Sequence, residues 1–376
     1  MLRAVKVRLY PTAAQANFLR GQFGAVRFVY NKGLYLKKHY YKTKGRNLDP
    51  IHDLKKLLSV AKKSKKYGWL AEYDSMALQE SLRHLKKAFD GFFAGRTGFP
   101  HFKTRRGEQS SYHCTCVSVG ENWIKVPKLS PIKAVIHRPV TGKVKSITLS
   151  MDCCGDFFAS ILFEDGLAAP EPLKEVKESL VTADDMGLDA FFTDSNKVKV
   201  YAPKPLKKAL KKLRKANRTL SRRQTGSKNR EKARLRLARI NRRVKRVRQD
   251  FLHKVSRKQV NESQALVFET LKINNMVRNR RLARSIMDAA WGEYFRMASY
   301  KAEREGKRVV KIDQFFPSSK KCSACGHVLE ELKLSTRRWT CPACGAHHDR
   351  DENAAFNLKR QGILDLRANG LVVLRG

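Results

Sequence analysis

The stretch KKCSACGHVLEELKLSTRRWTCPACGAHHDRDENAA, residues 320–355, decides how the chain is read. It opens with Cys322 and Cys325, runs through fifteen residues, and presents Cys341 and Cys344. A Cys-x2-Cys pair places two thiolates on one turn, and two such pairs complete a tetrahedral zinc site. Gly326 and Gly345 follow the pairs and suit a tight knuckle, because glycine accepts positive φ. The competing reading makes the four thiols core residues or disulfides. Two matched pairs at this spacing in a reduced, basic protein speak against it. Four protein ligands leave no open position, so the zinc is expected to be structural rather than catalytic.

Directly after the second pair comes His348-Asp349-Arg350-Asp351-Glu352-Asn353-Ala354-Ala355-Phe356-Asn357-Leu358. Acidic residues lead, and Ala354, Ala355, Leu358 and Ile363 follow at helical spacing. This predicts a carboxylate at a helix N-terminus, with a small-residue face close on a sheet. Alone, an ordinary acidic N-cap explains it as well. A site requires further acids at strand ends elsewhere.

The whole chain has 376 residues, room for two or three domains. Its 79 Lys+Arg against 34 Asp+Glu give a formal charge of +45, far beyond what solubility needs, so a polyanionic partner is expected. With 9% aromatics and 42% hydrophobics, a folded nucleic-acid binder fits better than a disordered basic tail. An anionic membrane surface is the competing partner. The opening MLRAVKVRLYP lacks the apolar core of a signal peptide, and no apolar run of about 18 residues appears. Cys114, Cys116, Cys153 and Cys154 read as plain core thiols, and a reducing cytoplasm is the expected location.

Residues 2–10 alternate as a strand, Pro11 stops it, and Thr12 caps a helix carrying Gln15, Phe18, Leu19 and Phe23. Helical periodicity continues through residues 54–58 and 76–93. The aromatics Phe28, Tyr30, Tyr35, Tyr40 and Tyr41 are expected mostly in the core, with exposed members able to stack bases. Residues 98–106 (GFPHFKTRR) break the helices. From 112 to 164 short strands follow (SYHCTCVSV, NWIKVP, AVIHRPV, VKSITLSMD, FFASILFE) with Gly-containing turns. Together with strand 2–10 they predict a β-barrel interrupted by a helical module. The Ala- and Pro-rich residues 166–175 mark a boundary.

Beyond it, residues 179–189 (SLVTADDMGLD) and two further strands form a meander, with Asp185 at a strand end. Residues 265–271 (ALVFETL) are a buried strand bearing Glu269, and residues 308–313 are another strand. Asp185, Glu269 and Asp351 in this order are what an RNase H-like sheet needs at one edge. Clustered carboxylates repel, so they make sense around hard divalent cations with oxygen ligands. Two Mg2+ ions about 4 Å apart suit phosphodiester hydrolysis. Between meander and Glu269, residues 204–248 hold 21 Lys/Arg and a single acid, Glu231. Leucines at helical spacing and the turn Gln224-Thr225-Gly226-Ser227 make this a basic helical hairpin. It lacks the counter-charges of a solvated face and is expected along a nucleic-acid backbone.

Taken together, VRLYPTAAQANFLRGQFGAVRFVYNKGL, PHFKTRR, ADDMGL, VFETLKINNM, FPSSKKCSACG and CPACGAHHDRDENAAFNLK resemble the TnpB (OrfB) family, transposon-encoded relatives of type V CRISPR nucleases. The resemblance covers nearly the whole chain. It implies a RuvC-like nuclease with a transposon-end guide RNA, cutting double-stranded DNA beside a short transposon-adjacent motif. It implies a wedge barrel (1–12 and 98–166), a helical recognition module (13–97), a linker (167–178) and a RuvC-like domain (179–376). The last includes the hairpin (204–258) and zinc ribbon (317–348), so the fold class is α+β multidomain. Carried over by motif, the catalytic, Mg2+-binding acids are Asp185, Glu269 and Asp351. Lys103, Arg105, Arg106, Arg242, Arg243 and Arg246 are the candidate nucleic-acid contacts. One departure stands out: Asp184 replaces the family's usual aliphatic residue. Alternation points it away from the Asp185 side, to pair with a base or cost stability. The alternatives are a nuclease-dead RNA-guided DNA-binding regulator, which should have lost an acid, and a transposase acting on transposon ends.

Overall fold

The computed structural model describes residues 1–104, 109–333 and 335–375. The chain divides into two units, Met1–Ala168 and Ala169–Gly376.

In the first unit, β1 (Leu2–Tyr10) buries Val5, Val7 and Leu9, the period of a strand with one covered face. Thr12 and Gln15 form a capping box: Gln15 N donates to Thr12 Oγ1 (3.3 Å) and Thr12 N to Gln15 Oε1 (2.9 Å). They open α1 (Ala13–Lys44), which ends at Gly45 in the left-handed region. Next come α2 (Asp53–Ala61) and α3 (Ser75–Phe93). Then follow β2 (Gln109–Cys114), β3 (Ser118–Val119), β4 (Trp123–Lys125), β5 (Ile132–Val135), β6 (Lys143–Asp152) and β7 (Phe157–Glu164).

The sheet order is β2-β6-β7-β1-β5-β4-β3, antiparallel throughout. Among the described residues its outer strands β2 and β3 do not pair, so the expected barrel is a half-barrel. An open sheet must cover its apolar face with another layer. Here α1 and α3 supply it: Phe23 packs 5.6 Å from Tyr112 and 6.4 Å from Phe157, within one core shared by helices and strands. Tyr30 lies in that core, but Tyr35 and Tyr41 are exposed. Of the cysteines expected inside, only Cys114 is buried. Cys116 lies exposed past the end of β2, and in the β6–β7 turn Cys153 is exposed and Cys154 half-buried.

The second unit starts with β8 (Glu175–Lys177) and the meander β9 (Val181–Met186), β10 (Phe192–Asp194) and β11 (Lys199–Val200). The hairpin follows as α4 (Pro205–Ser221) and α5 (Lys228–Glu262), then β12 (Ala265–Glu269), α6 (Ile273–Met276), α7 (Ala283–Ala289), α8 (Trp291–Glu303) and β13 (Arg308–Ile312). Two short strands, β14 (Arg338–Thr340) and β15 (His347–Asp349), precede α9 (Arg350–Ala368) and β16 (Val372–Leu374). Residues 175–177 are not linker: β8 pairs in parallel with β16, and Val176 is buried.

The main sheet runs β11-β10-β9-β12-β13, with β11, β10 and β9 antiparallel and β9, β12 and β13 parallel. Alternation sorts its side chains. Val181, Ala183, Ala265 and Val267 meet Leu358, Ile363 and Leu366 of α9. Leu266 and Phe268 face the other way, into a core with Leu252 of α5 and Tyr294 of α8. Helix α9 lies very close on its face: a Cβ at Gly362 would stand 2.4 Å from Val267 Cγ2. Only glycine fits there.

Candidate active site and metal centre

Asp185 sits in β9 opposite Thr193 of β10, and Glu269 ends β12 opposite Ile312 of β13. By strand period each shares the face of its odd-numbered neighbours, the face covered by α9. Asp351 is in the first turn of that helix, whose N-cap Asp349 accepts from Asp351 N (3.1 Å) and Glu352 N (3.2 Å). Burial pushes the Asp185 carboxyl well above the usual carboxylate range. The charges of Glu269 and Asp351 push it further, against Arg350 and Arg337. Burial likewise raises Glu269 to about 7, opposed by the Met186 backbone amide. Arg337 Nη1 stands 3.5 Å from Asp351 Oδ1, and Lys199 Nζ 2.8 Å from Asp349 Oδ2. The three carboxylates therefore feel one another's charge without converging on one point. Among the described residues, the only metal-type donors that do are the four cysteines.

Asp184 does point away from Asp185, into the α5–α8 core, and it is fully buried. No base meets it there. Tyr294 Oη donates to Asp184 Oδ2 at 2.6 Å and Gln259 Nε2 to Oδ1 at 3.0 Å. Burial raises this carboxyl to about 7 against the tyrosine's hydrogen bond, so two neutral donors hold an acid that readily keeps its proton.

In the ribbon, ligand atoms of Cys322, Cys325, Cys341 and Cys344 lie within 4.8 Å of one another. The sulfurs of Cys322 and Cys344 are 3.7 Å apart, those of Cys325 and Cys341 3.6 Å. Tetrahedral bonds of about 2.3 Å to zinc imply edges of about 3.8 Å, so the set fits Zn2+. Burial raises the Cys322 thiol, but amide donors of Cys325 and Ala324 and the His348 ring bring it down to about 5. Gly326 and Gly345 adopt φ of 84° and 73°, as the knuckle reading expects.

Two residues that the sequence reading passed over join the ribbon to the acid helix. Asn353 Oδ1 accepts from Ser323 N (2.9 Å), and its Nδ2 donates to Lys321 O (2.8 Å). Asn357 Nδ2 donates to Ser318 O (2.8 Å) and Lys321 O (2.6 Å). Both are buried, and two asparagines four residues apart on one helix face were the available signal.

The basic hairpin turns through residues 222–227, with Ser227 Oγ accepting from Arg230 N. Arg243 and Arg246 are exposed, Arg242 is half-buried. Arg248, by contrast, is structural: it donates to Asp288 Oδ1 (2.8 Å), whose carboxylate also accepts from Leu206 N at the start of α4. In the other unit, Lys103 Nζ lies 4.1 Å over the Tyr30 ring, and burial there lowers its pKa. Arg105 and Arg106 lie outside the described residues.

The fold is also found in a solved structure. The Cas12f1 chain of a Cas12f1–sgRNA–target DNA complex superposes with a TM-score of 0.57 at 13% identity, covering 96% of this chain and 98% of that one. The fold is thus Cas12f1-like, mixed α/β with a four-cysteine ribbon. Family models match residues 291–358 ("Cas12f1-like, TNB domain"), 167–280 ("Probable transposase") and 1–46 ("Helix-turn-helix domain"). A Streptomyces pristinaespiralis protein is 38% identical over 96% of this chain and 89% of its own length. InsQ of Escherichia coli K12 is 30% identical over 99% and 95%. Each is named "Putative RNA-guided DNA endonuclease". The chain belongs to the TnpB (OrfB) family.

Proposed function

We propose that this protein is an RNA-guided, Mg2+-dependent DNA endonuclease encoded by a transposable element, cutting double-stranded target DNA beside a short transposon-adjacent motif. Family membership and the names of its relatives support a guided nuclease. The observation that carries the chemistry is the raised Asp185 carboxyl, buried and facing the charges of Glu269 and Asp351. An acid edge whose members repel is prepared for cations. A meander followed by two parallel strands, in the order β11-β10-β9-β12-β13, supports reading residues 179–376 as an RNase H-like (RuvC) domain. Asp185, Glu269 and Asp351 would hold the Mg2+, oxygen donors suited to a hard ion. When bound, the metal activates water and stabilises the leaving oxygen of a phosphodiester. The chain's own part is to fix these oxygens: two on strand ends, one on a helix held by the zinc ribbon through Asn353 and Asn357.

Arg242, Arg243 and Arg246 of the hairpin, with Lys103, Arg105 and Arg106, would follow phosphates. Residues 1–12 and 98–166 would act as the wedge and 13–97 as the recognition helices. No helix among the described residues is long and apolar enough to cross a membrane. The test is a plasmid-cleavage gel with matched, mismatched or no guide RNA, in Mg2+ or EDTA. Cleavage is expected only with matched guide and Mg2+. Cleavage without RNA would point to a transposase, and guided binding without cleavage to a regulator.

A further inference from the structure

The first unit carries a cleft that the nuclease chemistry does not use. The last turns of α1, the end of α3 and the segment after it enclose about 780 Å3, lined by Tyr35, Tyr41, Phe92, Phe93, Phe99 and Phe102. Several of these rings stand open to solvent: Phe93 is 67% exposed, Tyr41 66% and Phe102 50%. Phe93 is nonetheless held by neighbouring rings. Phe92 packs 5.3 Å from both Phe93 and Phe99, and buried Phe89 backs Phe99 at 5.5 Å. The segment bearing Phe99 and Phe102 is pinned at its end, where the Asn31 amide donates to Lys103 O (2.9 Å) and accepts from Lys103 N (2.8 Å). Cations are set among the rings: Lys38 Nζ lies 5.5 Å from the Phe99 centroid and 5.9 Å from that of Phe102, and Lys42 also lines the cleft. Among the described residues no carboxylate lines it.

We propose that this cleft is a stacking site for unpaired bases of a single-stranded RNA segment. Exposed aromatic area of this kind marks an interaction surface. An apolar protein partner would have to desolvate Lys38 and Lys42 without offering counter-charge. An unpaired polynucleotide supplies both needs, π-faces for the rings and phosphates for the ammonium groups. The volume suits a small number of bases and excludes a duplex. Tyr35, Tyr41, His39 and Asn47 are among the lining residues, and their side chains carry the kinds of polar group that address a ribose 2′-hydroxyl. The choice of RNA rests on the guide-RNA reading above, whereas the stacking site itself does not.

The experiment measures binding of labelled dodecamers of uridine RNA and thymidine DNA to the full chain in EDTA, across a salt series. Raising salt suppresses the phosphate contribution and leaves stacking. Phe93→Ala/Phe102→Ala should weaken RNA binding at least about tenfold at high salt, given the usual worth of a stacked base. Phe93→Leu/Phe102→Leu keeps apolar bulk without π-faces and should do the same, which guards against a folding artefact. Lys38→Gln/Lys42→Gln should reduce the salt slope by up to about 0.7 per lost contact. Unchanged RNA affinity in the phenylalanine variants overturns the proposal. Equal loss for the DNA dodecamer, bound as tightly as the RNA, overturns the choice of RNA. A fall in molar mass on light scattering with unchanged affinity would make the cleft a contact between two copies instead. No cleavage is read, so the outcome is independent of whether the endonuclease reading stands.

Discussion

The ribbon and the acid edge are neighbours in the chain and opposites in physics. Six residues separate Cys344 from Asp351. The four thiols converge within 4.8 Å, and backbone donors bring Cys322 down to about 5 despite its burial. The three carboxylates do not converge so, and burial raises Glu269 to about 7. One site is made by the fold to carry negative charge on a metal. The other is held in place by apolar layers behind it, Ala183 and Val267 against α9, while its own charges work against the fold. On the proposed reading, a zinc in the ribbon would serve folding and the acid edge would serve chemistry. Removing a donor should therefore have opposite consequences at the two places.

At the acid edge, Asp185→Ala, Glu269→Ala and Asp351→Ala should each lower guided cleavage by at least about 10^3-fold, with non-additive combinations, because the trio acts as a unit. Melting temperature in EDTA should stay the same or rise, since a repelling buried charge is removed. At the ribbon, Cys341→Ser should lose about one equivalent of zinc by mass spectrometry and lower the melting temperature of the second unit, because metal binding there is folding energy. A cysteine variant that melts like the wild type, or an aspartate variant that collapses, would break the contrast.

Much of this contrast is readable from spacing alone. Paired cysteines, the helix with Asp351 in its first turn and the opposite facing of Asp184 and Asp185 all follow from short-range periodicity. What escapes is set by long-range pairing. Whether β2 and β3 meet depends on strands far apart in sequence, so a half-barrel reads like a barrel. The strand at 175–177 exists only because Val372–Leu374 returns to pair with it. Helix α1 carries aromatics on several faces over 32 residues, so periodicity could not say that Tyr30 is inside and Tyr35 outside. Asn353 and Asn357 were legible as a pair, but their partners are backbone carbonyls of the ribbon, which no side-chain pattern announces.

Those asparagines join the two sites and sharpen the contrast. Asn357→Ala takes the Asn357 amide away from Ser318 O and leaves Lys321 O only the Asn353 amide, and should cost about 1–3 kcal/mol in urea unfolding. Zinc content should remain at about one equivalent, since no ligand is touched, while cleavage falls because Asp351 sits on the same helix. Loss of the zinc would mean that the ribbon cannot hold its metal without the helix.

The smallest expected effect lies beside the acid edge, at Asp184. Its carboxyl is raised to about 7, whereas the unfolded chain titrates near 4. Below about pH 4 both states are protonated and this group is neutral to stability. Between about 4 and 7 the unfolded chain releases a proton that the folded one keeps, so stability falls as pH rises. Above about 7 the fall from this group levels off. Asp184→Asn removes one such proton and should flatten the decline by up to about 1.4 kcal/mol per pH unit, read by urea unfolding in EDTA at several pH values. Asp185 and Glu269, also raised, add to the residual slope in the same direction. Asp184→Ile differs: it leaves the Tyr294 hydroxyl and Gln259 amide without their acceptor and should cost about 1–3 kcal/mol. Neither change should abolish cleavage at neutral pH, because the side chain points into the α5–α8 core and away from the edge. Cleavage lost in Asp184→Asn but kept in Asp185→Ala would put the reacting face of β9 on the other side and reverse the assignment of the two acids.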